Sequence, residues 1–138
     1  MSKVVRKAIY TALGPKPLAP YSQAIQVDNL VYVSGMVGTS ELGPLVEGGI
    51  AAEAKQALMH LGNVLKAADS SFEKVVKTTV LLADLNDFGV VNEIYKQYFV
   101  EPYPARMAYQ VAKLPLGAKI EIDAIAIVGE VEHVKSNL

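Results

Sequence analysis

Lys119-Ile120-Glu121-Ile122-Asp123-Ala124-Ile125-Ala126-Ile127-Val128 alternates with a period of two. Ile120, Ile122, Ala124, Ala126 and Val128 fall on one side of such a strand, the side that packs on helices. The other side begins with Glu121 and Asp123 but continues with Ile125 and Ile127, so both faces carry apolar surface. A second strand-like run, Pro104-Ala105-Arg106-Met107-Ala108-Tyr109, also holds a charge among apolar neighbours. Desolvating a guanidinium or a carboxylate costs several kcal/mol unless the group is paired or serves a site. With Leu114-Pro115-Leu116-Gly117 as the intervening turn, the two runs read as adjacent strands. Arg106 and Glu121 would then converge on one crevice, a cation for an anion and a carboxylate for proton transfer.

Working outward, two helices stand out. From 50 to 68, Ala54, Ala57, Leu58, Leu61, Leu65 and Ala68 recur at helical spacing, with Glu53, Lys55, Gln56 and Lys66 largely off that stripe. From 87 to 99, Phe88, Val91, Tyr95, Tyr98 and Phe99 form a second apolar face, with Asn86 or Asp87 as N-cap. Strands are expected at 3–10, 22–28, 30–36, 75–83, 106–112 and 118–128. The order β-β-β-α-β-α-β-β predicts an α+β structure, a single sheet covered on one face by two helices. Two helices cannot cover both sides of a doubly apolar sheet, so the chain is expected to self-associate. One domain over 1–138 is expected, with tails at 1–3 and 130–138, because the Pro/Gly clusters mark loops and no repeat or linker interrupts the chain.

Composition narrows the function classes. A net charge of −1 over 138 residues offers no basic stripe for nucleic acid or an anionic membrane surface. The absence of cysteine excludes disulfides, thiolate catalysis and thiolate metal sites. No apolar stretch reaches the ~20 residues of a membrane span, so a soluble, cytoplasmic protein is the default expectation. Lys3, Arg6, Lys7 and Lys16 precede the first acidic residue, Asp28, as in a mitochondrial presequence, but 4–10 reads better as a strand. Ser136-Asn137-Leu138 is a weak variant of a peroxisomal tripeptide and reads better as a tail. Gly35-Met36-Val37-Gly38 lacks the Lys-Ser/Thr ending of a phosphate loop, and His60 and His133 lie too far apart in sequence to suggest a metal site.

Several motifs in order carry a family likeness. Ala19-Pro20-Tyr21-Ser22-Gln23-Ala24, Val33-Ser34-Gly35, Val75-Val76-Lys77-Thr78-Thr79-Val80 leading to Asp84-Leu85-Asn86-Asp87-Phe88, Pro104-Ala105-Arg106, Val111-Ala112-Lys113-Leu114-Pro115 and Ile120-Glu121-Ile122 resemble the RidA family. This family, also called the YjgF family, comprises the reactive imine deaminases, and the likeness runs from about Val4 to about Gly129, nearest to the animal members. It implies a homotrimer of chorismate-mutase-like subunits with sites at the three interfaces. It also implies hydrolysis of 2-imino acids released by pyridoxal-phosphate-dependent dehydratases, with no metal or organic cofactor.

The resemblance assigns roles residue by residue. Arg106 clamps the substrate carboxylate, and Glu121 directs water and manages protons. Tyr21 walls the pocket with a usable hydroxyl, while Ser34, Gly35, Asn92 and Ala108 complete it. Each has an ordinary structural alternative: a structural ion pair or an edge-strand gatekeeper for Arg106, a solvated strand residue for Glu121, a packing anchor for Tyr21, a turn at Ser34-Gly35, and an exposed helix position for Asn92. Asp123, about 7 Å along the same face, is expected to be structural. Met36 and Met107 depart from the family pattern and are expected to reshape the pocket. Two further readings stay open: a single-strand ribonuclease or translation inhibitor, disfavoured by charge, and a carboxylate-binding or chaperone-like trimer without turnover.

Overall fold

The computed structural model of the protein describes residues 2–136; Met1, Asn137 and Leu138, at the ends of the expected tails and in the C-terminal tripeptide, lie outside the described residues. The elements are β1 (Arg6–Ile9), β2 (Ala24–Val27), β3 (Leu30–Met36), α1 (Gly49–Ala67), β4 (Val75–Leu82), α2 (Phe88–Tyr95), β5 (Ala105–Gln110) and β6 (Ile120–Ile127). Short 3-10 turns at 72–74, 85–87 and 115–117 link them. The strands form one six-stranded sheet in the order β1-β2-β3-β6-β4-β5. The α+β class and the element order follow the expectation, but the neighbour relation of the two charged strands does not.

β5 and β6 are not adjacent, because β4 lies between them, parallel to β5 and antiparallel to β6. The chain leaving β5 passes over the end of β4 instead of turning back on itself. Val111 N donates to Leu82 O and Ala83 N donates to Lys119 O, both backbone bonds of this crossing. β6 also pairs antiparallel with β3, so it fills the gap between the two strands that α1 connects.

Both helices lie on one face of the sheet. There Val31, Val33, Met36, Thr78, Val80, Leu82, Ile120, Ile122, Ala124 and Ala126 are buried beneath Leu58, Leu61, Val64, Leu65, Val91, Ile94, Tyr95 and Phe99. Burying each large aliphatic side chain contributes about 1.5–3 kcal/mol, which makes this layer the main source of stability. Met36 belongs to that core at 2% exposure, so the expectation that it shapes a pocket is corrected.

Two polar residues of α1 are buried, contrary to the expected stripe in the case of Glu53. Glu53 Oε1 accepts from Lys119 N at 2.8 Å, and His60 Nε2 lies 2.8 Å from Thr39 O. Backbone groups just outside the ladders need partners, and these side chains supply them. α1 opens after Gly48 in the left-handed region (φ 116°), where a side chain would be strained. The second helix is shorter than expected. After Tyr95 the bonds tighten to Gln97 N with Ile94 O and Tyr98 N with Tyr95 O; neither Asn86 nor Asp87 caps the helix through its side chain, whereas Asp84 caps the preceding 3-10 turn by accepting from Asn86 N. No helix among the described residues is long and apolar enough to cross a membrane.

Candidate functional site

The parity of β6 sends Glu121 and Asp123 to the face opposite the helices. Glu121 pairs with Leu81 and Asp123 with Thr79, and these four residues with Gly35 line a concavity of ≈ 180 Å³. Glu121 is half-buried. Burial pushes its carboxyl above the usual range, and the neighbouring Asp123 charge adds to the effect. Asp123 is itself pinned, since Thr79 N donates to its Oδ1 at 3.0 Å. A carboxylate so placed can hold a water and exchange a proton with it.

Gly35 makes this arrangement sterically feasible. A Cβ at that position would come within 2.8 Å of the Glu121 carboxylate carbon. Gly35 sits where the β3–β6 register shifts between Val33 and Met36, a bulge that turns the corner toward the concavity. Ser34, half-buried beside it, donates through Oγ to Ser22 O at 2.6 Å. That bond joins the corner to the loop carrying Tyr21, whose ring is half exposed.

Arg106 occupies a different place. It pairs with Thr78, a core-facing residue, so its side chain leaves the exposed edge strand on the helix side. The guanidinium carbon stands 5.2 Å from the Phe88 ring centre and 5.0 Å from that of Tyr95, and Nη1 donates to Asn92 Oδ1 at 2.8 Å. Phe88, Asn92 and Tyr95 follow the i, i+4, i+7 spacing of one helix face, so α2 fixes the cation on three sides. Tyr95 is anchored in turn by a 2.9 Å hydrogen bond with Thr78 Oγ1, and burial raises its phenol above the ordinary range. Among the described residues the one ion pair is Lys96 with Glu93, which leaves the Arg106 fork without a carboxylate partner. Ala108 lies two residues along on the same side, paired with Val80.

The expected residues therefore form two groups. Glu121, Gly35 and Ser34, with the Tyr21 loop behind them, belong to the open face and its rim, whereas Arg106, Asn92 and Ala108 belong to the helix-side edge. One chain does not bring its cation and carboxylate into one crevice; β4 and the strand parity keep them on opposite faces. Thr79 and Leu81, which line the concavity, escaped the sequence because only the β4–β6 register puts them beside Glu121. Phe88 and Tyr95 were legible as an apolar stripe but not as a cradle for a cation. Met107 shares a rung with Thr79 and is half exposed on the open face, so of the two methionines only this one lies near the concavity. Among the described residues no cluster of three or more His, Cys, Asp or Glu is placed to hold a metal ion.

With this geometry in place, likeness to known proteins is informative. Residues 11–128 match the model of the family described as Endoribonuclease L-PSP. A 2-iminobutanoate/2-iminopropanoate deaminase of Mus musculus is 59% identical over 94% of this chain and 96% of its own. A crystal structure of a yeast protein superposes with a TM-score of 0.88 at 39% identity, covering 91% of this chain and 100% of that one. The RidA structure from an Antarctic Psychrobacter gives 0.85 at 42% identity, covering 88% and 99%.

Proposed function

The chain belongs to the Endoribonuclease L-PSP family, which holds the RidA-type deaminases, and from that membership we propose that it hydrolyses 2-imino acids, with their enamine tautomers, to 2-keto acids and ammonia. The observation that carries the reading is a half-buried carboxylate of raised pKa at a concavity, in a chain whose one strongly positioned guanidinium has no acidic partner among the described residues. Water oxygen attacks the C=N carbon while Glu121 takes one of its protons. That proton goes on to nitrogen to give the carbinolamine; Glu121 then takes the hydroxyl proton and passes it to the amino group, so that the C–N bond breaks as C=O forms and ammonia leaves. Atoms balance with water alone, so the chemistry calls for no cofactor.

Arg106 grips the substrate carboxylate with two parallel N–H bonds, and Asn92 with the two rings keeps that fork oriented. Tyr21 walls the pocket, and Ser34, Gly35 and the backbone at Ala108 complete it. Because the two groups occupy opposite faces, a homotrimer completes each site by setting the β5 edge of one copy against the open face of the next. Tyr32, Met107 and Tyr109, exposed by 47%, 50% and 46%, supply apolar surface for that contact. The setting we assign is repair of damaging imines in the cytoplasm, beside the pyridoxal-phosphate enzymes that release them. Ribonuclease action is the weaker alternative, since a net charge of −1 gives phosphate little to bind.

The test couples the protein to a threonine dehydratase and follows keto acid formation. The expected result is clear acceleration over spontaneous hydrolysis, with Arg106→Ala reducing it by about a hundredfold or more. No acceleration by the parent protein would reject the assignment.

A further inference from the structure

Gln23 is 1% exposed, and nothing in the chemistry above employs it. The β1–β2 ladder ends at the rung Ile9–Ala24. Beyond that rung the Gln23 side chain takes over the role of a peptide group. Its Oε1 accepts from Thr11 N at 2.8 Å, and its Nε2 donates to Thr11 O at 3.1 Å and to Pro15 O at 2.9 Å. The loop so held is packed against α1. A Cβ at Gly14 would meet Val64, the Gln23 amide and Thr11 at 3.1–3.3 Å, and Asn63 Nδ2 donates to Leu13 O.

The backbone of the same residue faces the site. Gln23 O accepts from Ser34 N at 2.9 Å, and the preceding Ser22 O accepts from Ser34 Oγ. Ser34 precedes Gly35, against which the Glu121 carboxylate lies. A continuous set of bonds therefore runs from the loop, through Gln23, to the corner that shapes the concavity. Tyr21 lies two residues before Gln23, and its own N–H donates to Ala19 O at 2.8 Å.

We propose that Gln23 is a positioning residue of the deaminase site, its buried carboxamide holding Tyr21 and the Ser34-Gly35 corner in register with Glu121. The activity arm of this proposal rests on the function assigned above, whereas its structural arm does not. Gln23→Glu keeps shape but points a carboxylate at two carbonyl oxygens, Thr11 O and Pro15 O. Protonation restores one O–H donor while the remaining C=O still accepts from Thr11 N. The groups packed around this spot are uncharged, namely Thr11, Gly14 and Pro15 of the loop, Val64 and Asn63 of α1 and Ser34 of β3. Tyr10, Lys16 and Tyr21 are the titratable neighbours along the chain.

Two readouts on the assembled protein test it: amide exchange at Ser34, and the kcat/KM of imine hydrolysis from about pH 6 to about pH 8. At the alkaline end Gln23→Glu is expected to speed Ser34 exchange and lower kcat/KM about tenfold to a hundredfold, the cost of a misplaced site. At the acid end the ratio to the parent should recover. Gln23→Met, which keeps length and tolerates burial, serves in the same two readouts if the glutamate variant does not fold; it should show both losses without recovery. A folded variant with parental Ser34 protection and parental kcat/KM overturns the proposal, even if its melting temperature has dropped. If the parent itself shows no turnover the deaminase assignment falls, and Ser34 exchange alone decides whether Gln23 holds the corner.

Discussion

Glu121 illustrates how far one residue's environment sets its chemistry. Its carboxyl is raised first by burial and then by Asp123, so in its proposed role as a base it should lose activity as pH falls through that raised pKa. Asp123→Asn removes the like charge and leaves the burial. The acid limb of the pH–rate profile should therefore move toward lower pH yet stay above that of an exposed glutamate. The sign for stability is opposite. A carboxyl whose folded pKa is raised favours the folded state at low pH and loses that contribution as pH rises through the folded value. Glu121→Gln should accordingly melt higher than the parent at about pH 8, with the difference vanishing below about pH 4. The same variant should still bind a 2-keto acid in calorimetry while losing most turnover. Gly35→Ala places a methyl against the carboxylate, and a loss of about a hundredfold in turnover is expected with little change in keto acid binding through Arg106.

At the scale of elements, α2 and β5 act together on the cation. The helix offers two rings and an amide to Arg106, and Thr78 on β4 holds one of those rings by its hydroxyl. Arg106→Lys keeps the charge but loses the fork, so keto acid affinity should fall sharply in calorimetry, by about tenfold or more. Asn92→Ala should weaken the same affinity while hardly shifting the melting temperature, because the bond it removes lies at an exposed edge. Thr78→Val strands the buried Tyr95 hydroxyl and should cost about 1–3 kcal/mol in denaturant unfolding. Much of this scale was legible. The alternation of β6 and the helical stripe of 50–68 dictate which side chains face the core, since periodicity needs no knowledge of partners. The place of β4 was not legible, because strand order depends on where a crossing loop lands and no local pattern encodes that.

For the whole molecule, the decisive fact is that Arg106 and Glu121 lie on opposite faces of one sheet. In the proposed trimer each site draws them from different copies, and a mixing experiment can establish this. Arg106→Ala and Glu121→Gln subunits should each be nearly inactive alone. Random co-assembly in a closed ring should return about a quarter of the parental activity, because one interface in four then joins an intact Arg106 to an intact Glu121. No recovery in verified mixed trimers would mean that one chain supplies both residues. Light scattering should give three times the chain mass at micromolar concentration, and Tyr109→Lys on the open face should dissociate the assembly and abolish turnover together.

The amino-acid sequence by itself determined the element order, the inward-facing set of β6, most of the apolar stripe of each helix, and Arg106 and Glu121 as charges set among apolar neighbours. These follow from periodicity, turn residues and the cost of placing charges in apolar runs, all of which are local. Only the tertiary structure decided the company those residues keep. It inserted β4 between the two charged strands, sent Met36 into the core, gave the guanidinium to α2 and the carboxylate to Gly35, and let Gln23 stand in for a missing backbone rung. Such pairings join residues far apart in the chain through strand order and register, and those depend on how the whole sheet closes over its helices, not on any one segment.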